Sequence, residues 1–256
     1  VKIRFLGAHS TESASTRLLS LLIDDILAID AGAITCTLPL EAQLKIKAVL
    51  LTHQHYDHVR DIPALAMNLF LNGARTNIYS IPEVYELVTT HLMDNEIYPA
   101  FHQRPRNKPT VRFNMIEPLK AELIEGYNVL PVPVSHSVPA VGYQLTSPEG
   151  RVLFYAGDTG PGLADCWRQV SPQLIVIELT ASDKYKEEAA EAGHMSPGLL
   201  KEELTSFREI KGYIPRVVAV HMSPNLEKDI AAEIGAVAKE LGCSITLGYE
   251  GMELKL

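Results

Sequence analysis

His53, His55, Asp57 and His58 fall within six positions and place three imidazoles and a carboxylate, all ligands of first-row metals, directly after a short apolar run. A polar turn of ordinarily hydrogen-bonded histidines is the plain alternative. Donors packed this densely behind an apolar strand favour metal binding. Alternate residues on extended backbone point the same way, so His53 and His55 share a side, whereas adjacent Asp57 and His58 diverge once the chain turns. Two neighbouring ions suit that arrangement better than one. His136, Asp158 and His221 each follow a predicted strand, and loops at strand ends are where a rigid scaffold presents functional groups. Singly these three are weak evidence. Together with the first cluster they complete a ligand set, in which the two oxygens of Asp158 suit a bridge.

The elements that must position these residues are legible from pattern. Lys2 to Leu6 reads as a strand, followed by a polar loop from Gly7 to Thr16. The apolar runs Leu18 to Ile23 and Ile26 to Ile29 flank Asp24-Asp25 as a hairpin. Lys47 to Leu51 is a strand that runs straight into the His53 cluster. Helices are predicted over Ile62 to Leu71, stopped by Asn72-Gly73, and over Pro82 to Met93, with proline in its first turn; Asn77 to Ile81 is a strand between them. Residues 95–109 hold Pro99, Pro105 and Pro109 with Arg104 and Arg106, and read as an irregular loop or lid.

Strands return at Val111 to Ile116, Leu119 to Ile124, Asn128 to Val134, Val141 to Leu145 and Val152 to Tyr155. A helix near Leu163 to Gln169, a strand at Leu174 to Leu179, a helix at Pro197 to Phe207, a strand at Val217 to Val220, a helix at Glu227 to Leu241 and a last strand pair complete the chain. The order implies an α/β protein, two mixed sheets packed together with helices outside: an αββα sandwich. Without a Gly/Ser-rich linker, residues 1–256 read as a single domain with pseudo-duplicated halves, about 1–125 and 126–256.

Composition limits the function. The 256 residues are 46% hydrophobic and 21% charged, which argues against disorder, collagen and coiled coil. Lys plus Arg number 23 against 31 Asp plus Glu, a formal charge of −8, which disfavours bulk nucleic-acid binding through a broad basic surface. No run is long and apolar enough for a membrane span, and no basic stretch with an apolar run opens the chain, so a cytoplasmic protein without membrane contact is expected. Cys36, Cys166 and Cys243 are odd in number and widely spaced, and are expected to be reduced thiols. Apolar helix faces leave room for a homodimer.

The motif and its later partners resemble the metallo-β-lactamase superfamily, whose signature is His-x-His-x-Asp-His followed by a histidine, an aspartate and a histidine at strand ends. The resemblance implies one metal on His53, His55 and His136, a second on Asp57, His58 and His221, and Asp158 bridging. Gly157-Asp158-Thr159, Glu178 after an apolar strand, Gly193 to Pro197 and His221 to Pro224 are similar to the ribonuclease Z and class II cyclic-nucleotide phosphodiesterase branch. That likeness implies that Glu178 orients His194, which protonates the leaving oxygen, with Asp57 as both ligand and orienter of the attacking water. Two departures separate this chain from the ribonuclease Z type. Ile177-Glu178-Leu179-Thr180 stands where that type has His-Glu-Ala-Thr, and no long basic Gly/Pro-rich arm lies between His136 and Asp158. The early loop has Gly7-Ala8-His9 where the family more often has Gly-Thr-Gly, which raises His9 as a pocket residue against its ordinary reading as a loop histidine.

The expected function is a dinuclear metal-dependent hydrolase, with zinc the first choice of ion and manganese or iron also suited. Its expected substrate is a small phosphodiester such as a cyclic nucleotide. A non-hydrolytic diiron oxygen-binding or redox-sensing protein uses the same ligand types. A lactone or thioester hydrolase and a tRNA 3′-end endonuclease are the other readings. The Glu178–His194 pair favours a poor leaving group over an activated ester.

Overall fold

The computed structural model describes residues 1–256. Fourteen strands form two seven-stranded sheets. The N-terminal part contributes β1 (Lys2–Gly7), β2 (Ser20–Ile23), β3 (Leu27–Ile29), β4 (Ala48–Leu50), β5 (Thr76–Ser80) and β6 (Val111–Met115). The C-terminal part contributes β7 (Glu122–Ile124), β8 (Tyr127–Pro133), β9 (Val141–Thr146), β10 (Val152–Tyr155), β11 (Leu174–Glu178), β12 (Arg216–Val220) and β13 (Ile245–Leu247), and the chain ends with β14 (Glu253–Lys255). The orders are β14-β1-β2-β3-β4-β5-β6 and β13-β12-β11-β10-β9-β8-β7. Each sheet is antiparallel at its hairpins and parallel where helices cross over, at β3-β4-β5-β6 and β10-β11-β12-β13. This is the αββα arrangement of the metallo-β-lactamase fold.

Period-two alternation explains the layering. In β11, Leu174 and Val176 join the main core with Ile3, Phe5, Leu21 and Ile29, which places them between the sheets. The intervening Ile175 and Ile177 pack with Trp167, Leu204, Phe207 and Ile230 under the outer helices. Both faces are covered, so the strand reads as an unbroken apolar run. The helix Pro197–Lys211 starts at Ser196, whose hydroxyl accepts from Leu199 N–H, has proline in its first turn, and ends at Gly212 in the left-handed region. Asp24 and Asp25 have φ of 47° and 59° and turn the chain within the three-residue connection of β2 and β3, where Ile26 N–H bonds the Ile23 carbonyl at 3.1 Å.

Several expectations need correction. The last two strands are not a pair: β13 adds to β12, whereas β14 adds to β1 in the other sheet, because Gly248 to Gly251 carries the chain across. The expected strand Leu119 to Ile124 begins only at Glu122, since Leu119 sits at φ 66°, outside strand geometry. The helix expected over Pro82 to Met93 is α-helical only to Leu87 and continues as a π turn, Val88–Leu92. A helix at Lys186–Ala192 went unexpected, for its residues are strong helix formers but only Ala189 is buried, leaving no apolar stripe to detect. No helix is long and apolar enough to cross a membrane.

The segment 95–109 is pinned to the sheet. Phe101 is buried, lies 5.1 Å from the Phe70 ring, and its carbonyl accepts Val111 N–H. The three cysteines form no disulfide. Burial, with the nearby Glu203 charge adding, pushes the Cys166 thiol up to about 12, whereas Cys36 is exposed. Iodoacetamide at pH 8 is therefore expected to label Cys36 in the native protein and Cys166 only after unfolding, since the thiolate is the nucleophile. Mass spectrometry of the labelled peptides checks this, and native labelling of Cys166 would contradict the burial described here.

Candidate metal centre

Strand β4 is buried between neighbours and hands the chain to Thr52 and His53. His55 caps a single helical turn, Tyr56–Val59, which carries Asp57 and His58. The expected loop at the strand end is thus partly helical, and the turn is what rotates Asp57 and His58 away from His53 and His55. His136 follows β8, Asp158 follows β10 and His221 follows β12. All seven residues converge on one edge of the sandwich.

They fall into two overlapping groups, His53, His55, His136 and Asp158, and Asp57, His58, Asp158 and His221, with the donor atoms of each group within 4.8 Å of one another. In the first, the imidazole of His53 lies 4.7 Å from His55 and 4.8 Å from His136, ring to ring. In the second, His58 Nε2 is 3.3 Å from Asp57 Oδ2 and 3.2 Å from Asp158 Oδ1, and His221 Nε2 is 3.2 Å from Asp57 Oδ2. Asp158 belongs to both.

A second layer fixes the rings. Asp30 is fully buried, and its carboxylate accepts from Thr52 N–H at 2.9 Å, Thr52 Oγ1 at 3.0 Å, His58 Nδ1 at 2.8 Å and Tyr155 OH at 2.7 Å. Thr52 Oγ1 also lies 3.0 Å from His53 Nδ1. His136 Nδ1 donates to the Gly193 carbonyl at 2.8 Å, and His221 Nδ1 meets Thr180 Oγ1 at 2.9 Å. Each of these four imidazoles has its Nδ1 engaged by the protein, which turns Nε2 inward, the arrangement that sets tautomer and ring orientation at metal sites. Gly193 has φ 78°, and a Cβ there would meet Ser137 N at 2.9 Å and His136 Nδ1 at 3.1 Å, so glycine is needed on both counts. His221 itself adopts φ 62°, a costly conformation held here by its N–H bond to the Ala8 carbonyl at 2.6 Å.

Some donor atoms bond one another, His136 Nε2 with His55 Nδ1 and His221 Nε2 with Asp57 Oδ2, both at 3.2 Å. His53 Nε2, His58 Nε2 and Asp158 Oδ1 are buried and make no well-directed hydrogen bond, the 3.2 Å approach of the last two included. Buried polar atoms are seldom left so, and three orphans pointing into one cluster of imidazoles and carboxylates fit divalent cations. Charge shifts agree. Burial, then neighbouring imidazoles, hold His53 well below the usual histidine range. Burial also opposes charge on His58, but Asp158 and Asp30 together outweigh it and raise that ring well above its usual value. Burial would raise Asp57, yet the hydrogen bond from His221 and the neighbouring His58 ring hold it far below the carboxylate range.

Beside the cluster, Glu178 is fully buried at the end of β11. Its Oε1 accepts from His194 Nδ1 at 2.6 Å and Thr159 N–H at 3.0 Å, and its Oε2 accepts from Thr180 Oγ1 at 2.7 Å and Met195 N–H at 3.1 Å. Burial disfavours a charged His194, but the hydrogen bond and charge of Glu178 more than offset it and bring the ring to about 9. The His194 ring stacks 5.7 Å from His221. A cleft of about 570 Å³ opens at His136 between Ile81, Pro82, Val134, Val138 and Pro139. No residue of 95–109 lines it; Asn107, Lys108 and Pro109 lie instead beside Arg75 and Thr76 at the start of β5.

His9 is drawn elsewhere: it is buried, with Nδ1 2.6 Å from Glu250 and Nε2 3.6 Å from Glu227. Sequence reasoning passed over Asp30, Thr52, Tyr155, Thr180 and Gly193. Asp30 alone left a signal, as an acidic residue directly behind the apolar run Leu27 to Ile29 and followed by Ala-Gly.

Comparison with known proteins places this geometry. Residues 22–222 match the model of the family described as beta-lactamase superfamily domain. The chain belongs to that superfamily. A ribonuclease Z of Pyrococcus abyssi is 32% identical over 43% of this chain and 34% of its own length. A protein of Myxococcus xanthus named UPF0173 metal-dependent hydrolase is 29% identical over 52% of this chain and 46% of its own. The chain thus spans less than half the length of either relative. Unliganded yeast PDE1 superposes with a TM-score of 0.86 over 100% of this chain and 99% of that one, at 16% identity, a likeness of fold.

Proposed function

We propose that the protein is a dinuclear metal-dependent hydrolase that cleaves a small phosphodiester, a cyclic nucleotide being the first compound to assay. His53, His55 and His136 would hold one divalent ion and Asp57, His58 and His221 the other, with Asp158 shared. Zinc heads the candidates, and manganese and iron suit the same donors. When bound, the ions supply Lewis-acid charge for the phosphoryl oxygens and acidify the attacking water.

The rest falls to side chains. Asp57 engages His58 and His221 through Oδ2, and Oδ1 is left to accept a hydrogen bond from the attacking water and aim it. Glu178, through Oε1, holds His194 by Nδ1 and leaves Nε2 free, so that His194 delivers its proton to the departing alkoxide. The apolar walls at Ile81, Val134 and Val138 would take the organic part of the substrate and keep water from competing.

The Glu178–His194 contact, set beside seven convergent metal-type donors, is the observation that carries this reading. A proton donor held by a buried carboxylate is what a poor leaving group demands, whereas an activated ester leaves unaided. The testing experiment assays bis-p-nitrophenyl phosphate, cyclic AMP, a lactone, a thioester and a tRNA precursor with zinc, manganese or iron. Turnover of the phosphodiesters above the rest supports the proposal. A lactone or thioester preference, cleavage of the tRNA precursor alone, or an oxygen-dependent absorption band without hydrolysis would each replace it.

A further inference from the structure

At the opposite end of β5 from the catalytic cleft lies a second cavity, of about 500 Å³, whose chemistry is unlike the rest of this acidic chain. Its walls are Arg75, Thr76, Asn77, Asn107, Lys108, Pro109 and Arg112. Three cations line it, no carboxylate does, and none of Arg75, Lys108 or Arg112 has an acidic partner within 4 Å, although other basic residues of the chain form such pairs. Thr76 is 4% exposed and its Oγ1 has no hydrogen-bond partner. That oxygen is shielded from solvent, so Thr76 supplies buried wall, and the accessible donors are those of the Arg, Lys and Asn side chains.

The backbone sets where the walls stand. Thr76 opens β5 and is paired in register with Val111 of β6, while its N–H bonds the Thr110 carbonyl at 3.1 Å. The loop that brings Asn107 and Lys108 closes on itself through Lys108 N–H to Pro105 O at 2.9 Å and Thr110 N–H to Arg104 O at 2.8 Å. The backbone fixes where the cationic side chains start, while the side chains themselves stay free to close on an anion. Planar guanidinium groups with amide donors match the oxygens of phosphate, Arg being suited to bidentate recognition.

We propose that this cavity is a second binding site for a small phosphate-bearing anion, separate from the catalytic cleft. Arg75 and Arg112 would clamp the phosphate, Lys108 would add charge, and Asn77 and Asn107 would meet the remainder of the molecule. The volume suits a mononucleotide, and the overall negative charge of the chain opposes a long polyanion. The five residues of β5 span roughly 15 Å, and the residues directly beyond them, Ile81 and Pro82, line the catalytic cleft.

The test is calorimetric titration of the metal-loaded full chain with AMP, comparing the natural sequence with Arg75→Gln/Arg112→Gln and, separately, with Lys108→Gln. We expect one AMP-binding component to weaken at least tenfold in the double variant and several-fold in Lys108→Gln. Hydrolysis of bis-p-nitrophenyl phosphate should stay unchanged in both, which keeps this result independent of the catalytic assignment. Identical AMP binding in all three proteins would overturn the proposal. So would a short single-stranded RNA that binds through Arg75 and Arg112 while AMP does not, because the site would then belong to a polymer.

Discussion

Replacing His194 with alanine is expected to lower turnover of cyclic AMP by about a hundred- to ten-thousand-fold while the protein keeps its full metal content. The two halves of that result follow from one contact. His194 Nδ1 is committed to Glu178 at 2.6 Å, which leaves Nε2 alone to give a proton. It lies close enough to His221 and Glu178 for their donor atoms to form a third cluster, which makes the metal assay necessary. The leaving group provides the sharper readout. Cyclic AMP departs as an alkoxide and needs the proton, whereas p-nitrophenolate departs readily without one. The same variant should therefore lose less than about tenfold on bis-p-nitrophenyl phosphate. Equal losses on both substrates would remove the proton-donor role, and loss of an ion would make His194 a ligand.

Asp30→Asn is expected to weaken metal binding by about ten- to a hundred-fold although Asp30 faces no ion. Two carboxylate oxygens accept four donors there, from the Thr52 amide and hydroxyl, His58 and Tyr155. Asparagine offers one acceptor oxygen and turns an NH₂ toward the remaining donors. It also tolerates the φ of 57° at this position, so backbone strain is not the cause of the effect. Losing one partner of the buried His58 contact should in addition cost about 3 kcal/mol of folding stability, read as a lower urea midpoint of the metal-free protein. Competition against a chromophoric chelator measures the affinity. Natural affinity in Asp30→Asn would mean that Asp30 serves packing alone.

These two residues mark what the sequence discloses and what it hides. Each expected metal-type donor stands at the end of an apolar strand, and strand ends are visible as the point where a hydrophobic run stops; His53, His136, Asp158 and His221 were all legible on that ground. Asp30 and Thr180 are hidden because their work is to hold rings supplied by distant segments, and a hydroxyl or carboxylate has no periodicity of its own. The helix at Lys186–Ala192 was illegible for want of an apolar face. The separation of β13 from β14 was illegible because strand pairing across sheets is decided by long-range register, with nothing local to mark it. Residues 95–109 looked like a lid from their prolines and charges, but Phe101, buried against Phe70, decides where the segment lies.

The account rests on convergence of seven side chains around a pair of cations, and elemental analysis of the purified, reconstituted protein tests it most directly. Two equivalents of zinc, manganese or iron per chain are expected, falling to one or fewer in Asp158→Ala, since Asp158 is the residue shared by both donor groups. A protein that takes up none of these ions after reconstitution, or an Asp158→Ala variant that still holds two, would contradict it.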